Sequence, residues 1–185
     1  MKRFLSIILA LVLLVGCTVS FTSCETNKPM IPEGYQFFPG YPVSFAYPDD
    51  WYSQVTEGVI VLINSTGKGN NITFAIEAKS TIYDNMTPES FTELIKPTFD
   101  QAGMKVSGIV ITERETNNLE VTEVKYNATM AGLSLQQILF ITTVGDYTYS
   151  VTVTLADNTI PNLPEIVFDS FYAKSPLELF VDMIY

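Results

Sequence analysis

Apolar and polar residues alternate with a period of two through much of the second half of the chain. From Tyr147 to Leu155, the residues Tyr147, Tyr149, Val151, Val153 and Leu155 fall on one side and Thr148, Ser150, Thr152 and Thr154 on the other. That period puts successive side chains on opposite faces of an extended backbone, so the segment reads as a strand with one apolar face. Strands are predicted in the same way over Val106–Arg114, Leu119–Ala128 and Leu133–Thr143. The connections Thr116-Asn117-Asn118 and Gly145-Asp146 are turn residues, too short for a crossover, and imply antiparallel pairing. Further upstream, Val43-Ser44-Phe45-Ala46-Tyr47 alternates until Pro48-Asp49-Asp50 stops it. The unbroken apolar run Val59–Ile63 reads as a buried strand, and Ile72, Phe74, Ile76 and Ala78 form the apolar side of the next one. Turn residues from Asn64 to Asn70 join these two runs as a hairpin.

Between the two strand regions the period lengthens. Thr87-Pro88-Glu89-Ser90 is a helix start, with Thr87 as N-cap, Pro88 in the first turn and Glu89 at the positive end of the dipole. Phe91, Leu94, Ile95, Phe99 and Ala102 share one face, expected to be core, and Gly103 supplies the stop. Pro97 lacks the N–H that the ladder needs, so a kink or two short helices are expected. A second helix is predicted over Pro161–Tyr172, with Leu163, Ile166, Val167 and Phe171 inward. The order of elements gives an α+β fold, an antiparallel β-sheet flanked by helices. No repeat and no shift of composition marks a second domain.

The first residues follow another rule. Lys2-Arg3 precede an apolar run from Phe4 to Val15, the arrangement of a secretory signal. The run reaches Leu14-Val15-Gly16-Cys17, which resembles the bacterial lipobox, and a second candidate follows at Phe21-Thr22-Ser23-Cys24. Cys17 has the better aliphatic residue three positions upstream; Cys24 is followed at once by the polar Glu25-Thr26-Asn27-Lys28-Pro29. Either thiol can accept the lipid. Each buried methylene of an acyl chain contributes about 0.8 kcal/mol, and the two chains of a diacylglycerol suffice for a stable anchor. An uncleaved helix is the competing reading, since no charge occurs between Arg3 and Glu25, but Gly16, Thr18, Ser20, Thr22 and Ser23 dilute the second half of the run. The expected organisation is a signal peptide over residues 1–23 (or 1–16 if Cys17 is lipidated), a proline- and glycine-rich tether over 24–40, a globular domain over 41–172 and an apolar C-terminal tail over 173–185. The implied location is the extracytoplasmic face of a cell membrane.

Charge and composition narrow the chemistry. The chain has 10 Lys+Arg against 20 Asp+Glu, a formal charge of −10, and two of the basic residues lie in the signal segment. Such a body repels nucleic acid and anionic lipid headgroups, so no nucleic-acid partner is expected. There is no histidine, and both cysteines lie in the N-terminal segment. Histidine-based triads and general bases, thiolate nucleophiles and histidine- or cysteine-bearing metal sites are thereby excluded from the body. Carboxylates remain. Asp49 with Asp50, Glu113 with Glu115, and Glu120 with Glu123 could hold calcium or work as an acid/base pair, but none has the spacing of a calcium loop, and solvated acids are the simpler reading. No catalytic residue, metal or cofactor is therefore assigned. Trp51 and Tyr47, on either side of Pro48, could build a ring platform for a ligand, or plug the end of the sheet as core.

Four segments carry a family resemblance: Phe45-Ala46-Tyr47-Pro48-Asp49-Asp50-Trp51, Thr87-Pro88-Glu89-Ser90-Phe91, Tyr147-Thr148-Tyr149-Ser150-Val151-Thr152 and Ile166-Val167-Phe168-Asp169-Ser170-Phe171. In their order and spacing the region from Tyr41 to Tyr172 resembles the PsbP-like lipoproteins of bacteria, relatives of the extrinsic PsbP subunit of photosystem II. The resemblance implies an α/β/α sandwich and no particular reaction. A photosynthetic role does not carry over, because this chain has no histidine and an acidic surface to set against the basic and histidine contacts of the plant protein.

Two functions follow as expectations. One is a non-catalytic, membrane-anchored accessory that engages a protein or an envelope component, which predicts no deep cavity and a contiguous apolar surface patch. The alternative is a small-ligand carrier with an apolar pocket between sheet and helix, walled by Trp51 or the tyrosines.

Overall fold

The computed structural model describes residues 28–56, 59–64, 69–157, 159–175 and 178–179. The signal segment with Cys17 and Cys24, and most of the C-terminal tail, lie outside the described residues. The strands are β1 (Tyr35–Phe37), β2 (Val43–Ser44), β3 (Ala46–Pro48), β4 (Tyr52–Thr56), β5 (Val59–Ile63), β6 (Asn71–Ala78), β7 (Lys105–Thr116), β8 (Leu119–Met130), β9 (Leu133–Val144), β10 (Tyr147–Leu155) and β11 (Tyr172–Ala173). The helices are α1 (Pro88–Gln101) and α2 (Leu163–Asp169), with a short 3₁₀ turn at Thr81–Tyr83. Seven strands form one antiparallel sheet in the order β4-β5-β6-β10-β9-β8-β7, while β1 pairs with β3 and β11 with β2.

The four long hairpin strands and the β5–β6 hairpin lie where the alternation puts them. Asn117 and Asn118 turn β7 into β8 with φ of 47° and 62°, a left-handed conformation that asparagine tolerates and a tight hairpin requires. A bulge interrupts the β7–β8 register between Ser107 and Val110.

Period-two alternation sorts the side chains into two faces. On the first, Ile72 and Phe74 of β6, Val121 of β8, Ile138 and Phe140 of β9, and Tyr149, Val151 and Val153 of β10 are buried. They are sealed by Phe38, Phe45 and Trp51 from the N-terminal layer and by Leu163, Val167, Phe168 and Phe171 of the α2 region. Phe74 is the hub, with ring centroids 4.9 Å from Phe38, 5.1 Å from Tyr41, 5.9 Å from Phe45 and 6.3 Å from Tyr149. On the second face a smaller cluster, Met86, Phe91, Val124, Tyr126, Ala128 and Ile141, packs under α1.

Helix α1 opens on a capping box: the Ser90 amide donates to Thr87 Oγ1 at 3.2 Å, and the Thr87 amide donates to Ser90 Oγ at 2.9 Å. Of the two expectations at Pro97, the division into two short helices does not occur, and α1 is one helix through Gln101. Glu93 and Pro97 are both exposed, so the carbonyl that loses its intrahelical donor faces water. The expected inward face of α1 is also narrower than its pattern: Phe91 is buried and Ile95 and Phe99 half-buried, but Leu94 is 38% exposed and Ala102 lies at the surface.

Three further expectations change. Helix α2 is shorter than Pro161–Tyr172, and Tyr172 belongs to β11. The apolar run of β5 buries only Leu62 fully: Ile60 packs partly buried against the same core, and Val59, Val61 and Ile63 on the other face belong to neither cluster. Part of the segment read as tether is integral to the fold, carrying β1 and the buried Phe38. There the Ser44 hydroxyl donates to Phe38 O at 2.7 Å, and Lys174 Nζ donates to the same carbonyl at 2.9 Å. The end of α2 is tied to the N-terminal layer: the Ala46 amide donates to Ser170 Oγ at 2.8 Å, and that hydroxyl donates to Ile166 O at 2.6 Å.

Candidate functional site

Trp51 and Tyr47, the pair that could form a ring platform, are 4% and 9% exposed and belong to the large core. Burial raises the Tyr47 phenol above its usual pKa. Trp51 Nε1 has no hydrogen-bond partner among the described residues. The structure thus places both rings inside the first face rather than around an open pocket.

The carboxylates divide between the faces. Glu115 and Glu120 are direct cross-strand partners at the tip of the β7–β8 hairpin, and Glu113 is opposite Thr122, whose hydroxyl donates to both carboxylate oxygens at 3.0 Å. These residues line an open cleft of about 930 Å³ on the second face, with Asp84 and Asn85 from the loop after the 3₁₀ turn and Thr143 from β9. Lys79 is its one cationic lining residue among those described. At the same rim the Tyr83 hydroxyl donates to Glu77, and its pKa is raised by burial first and by that carboxylate second. No group of three or more acidic, histidine or cysteine side chains among the described residues is placed to hold a metal ion.

Glu123 belongs elsewhere. Three residues along a strand reverse the face, so the supposed Glu120–Glu123 pair is split by the sheet. Glu123 is 3% exposed on the first face, where Arg114 Nη1 approaches to 2.6 Å and Lys125 Nζ to 2.9 Å. Arg114 also bonds Glu165 of α2 at 3.0 Å and lies 3.5 Å from the centroid of the Phe168 ring. This network fastens α2 to the sheet and has a structural purpose.

A second concavity, about 330 Å³, lies between α1 and the start of β7 and is lined chiefly by Ile95, Phe99, Met104, Val106, Lys96 and Lys105. Sequence reasoning missed it, because Ile95 and Phe99 read simply as the core face of the helix and nothing local marks β7 as the outermost strand. The signal that could have found it is the apolar pair Met104 and Val106 immediately after the helix stop.

No family model matches the sequence, and no curated protein matches it. Solved structures do. The solution structure of cyanobacterial PsbP (CyanoP) from Synechocystis sp. PCC 6803 is similar over 77% of this chain and 94% of that one, with 15% identity and a TM-score of 0.58. A crystal structure from Bacteroides thetaiotaomicron VPI-5482 aligns with 78% of this chain and 50% of that chain at 16% identity and a TM-score of 0.49. LpqN of Mycobacterium tuberculosis, described as involved in cell envelope biogenesis, aligns over 76% of this chain and 92% of that chain at 11% identity and a TM-score of 0.46. The likeness to the cyanobacterial protein shows the fold: this is a PsbP-like α+β domain, a large antiparallel sheet with two helices.

Proposed function

We propose that the protein is an exported lipoprotein whose PsbP-like domain serves, outside the cytosol, as a non-catalytic accessory to a protein or envelope partner. The observation that carries this reading is the N-terminal segment, with Lys2-Arg3, an uncharged apolar run and cysteines at 17 and 24. The absence of histidine and of a body cysteine supports the non-catalytic part. Association with a partner is supported by apolar side chains left at one end of the second face, where Met130 and Leu133 are 40% and 51% exposed.

The ligand-carrier alternative requires an apolar pocket between sheet and helix. The groove between α1 and β7 has that position, but Trp51 and Tyr47 are not among its walls.

The test is metabolic labelling with palmitate in a bacterial host, using the full chain and its Cys17→Ser and Cys24→Ser variants. One of the two substitutions is expected to abolish labelling and move the protein from membrane to soluble fractions. Unlabelled wild-type protein in the cytosol would overturn the proposal.

A further inference from the structure

The sheet ends at β7, so the outward N–H and C=O groups of this 12-residue strand have no strand partner among the described residues. On either side of the bulge between Ser107 and Val110, that edge is a template for another extended backbone. The opposite edge, β4, has only five residues, all of them exposed. At β7, α1 leaves the 330 Å³ groove, with Ile95, Phe99, Met104 and Val106 as its apolar wall. At the same end of the sheet the cross-strand partners Met130 and Leu133 are 40% and 51% exposed. Methionine is suited to such a surface because its unbranched chain adapts to different partners.

Charge selects among occupants. In a chain of net charge −10 the groove is lined by two lysines, Lys96 and Lys105, and one acid, Asp100. Lys96 is satisfied by Asp100 at 2.6 Å, whereas Lys105 is exposed and has no ion-pair partner among the described residues. A helix satisfies its own backbone and would gain nothing from an open strand edge; an extended segment would gain a ladder of hydrogen bonds. The geometry points to a strand-docking site: an extended segment of a partner protein adds to the β7 edge, places an apolar side chain in the groove and sets a neighbouring carboxylate against Lys105. This inference rests on the accessory reading above and specifies its partner.

The test uses the purified full-length protein in detergent micelles. The probe is a blocked strand peptide of alternating threonine and valine, with a central leucine followed by glutamate. Hydrogen exchange read by mass spectrometry should slow saturably across residues 105–116 and remain unchanged across 52–56. Lys105→Glu, at the exposed rim, should weaken binding about five- to tenfold, and replacing the peptide's glutamate by lysine should restore it. Ile95→Ser should weaken binding as well, at unchanged helical content. No protection of β7, or protection at β4 or in the Glu115–Glu120 cleft instead, would overturn the inference. So would protection of β7 that grows with protein concentration in the absence of peptide, which would identify a second copy as the occupant. The peptide is added to purified protein, so its failure leaves the palmitate result standing, and failed labelling leaves peptide binding measurable.

Discussion

On the first face of the sheet, Phe38, Phe45, Phe74, Phe140 and Tyr149 are sealed beneath the N-terminal layer and α2. On the second, α1 covers β7 to β9, and the half-buried Thr73, Ala75, Ser150 and Thr152 of β6 and β10 belong to neither cluster. The residue types follow that division. Aromatic rings fill the closed side, while small and hydroxyl-bearing side chains occupy the side that has water for a neighbour. One sheet thus separates two tasks: its closed face supplies most of the stability, and its half-covered face holds the acidic cleft and the apolar groove.

The sharpest test of this division compares two deletions. Phe74→Ala removes a ring touched by four others and should destabilise by about 3–5 kcal/mol in denaturant titration; Phe91→Ala, in the thinner cluster, should fall near the lower end of that range. Equal losses would mean that the two clusters contribute alike. Glu123→Gln leaves Arg114 and Lys125 without their buried carboxylate, and a loss of about 2–3 kcal/mol is expected. A third test uses pH. Burial raises the Tyr126 phenol under α1 from 10.0 to about 12. A pKa raised on folding gives stability that is complete below pH 10 and is lost as pH climbs through about 12. Wild type should therefore lose roughly 2 kcal/mol more than Tyr126→Phe across that window, measured by denaturant midpoints. Smallest of all, Lys96→Ala removes an exposed i,i+4 pair on α1 and should change stability by about 0.3–0.5 kcal/mol.

Much of the sheet could be read from the residues because period two and short polar turns are local signals. β8, β9 and β10 have the expected partners, and Thr87-Pro88 marks the start of α1. What escaped depends on neighbours distant in sequence. β1 lies among prolines and glycines and exists because β3 pairs with it. Tyr147 follows the apolar alternation but is 53% exposed at the end of its strand. Glu113, Glu115 and Glu120 were visible as acids, yet their meeting in one cleft depends on hairpin register, as does the separation of Glu123. The groove beside β7 left only the apolar pair Met104 and Val106 as a trace, because edge position is a property of the whole sheet.

The pairing of β2 with β11, and of Ala46 with Ser170 across 124 positions, also bears on the order in which the domain can be assembled. A nascent chain emerges from its N-terminus, so Phe74 must wait, wet, for Tyr149 and Phe45 for Phe171. The first residues to appear are thus among the last to settle, and a product cut short before Ser170 would leave its aromatic interior open to chaperones and proteases.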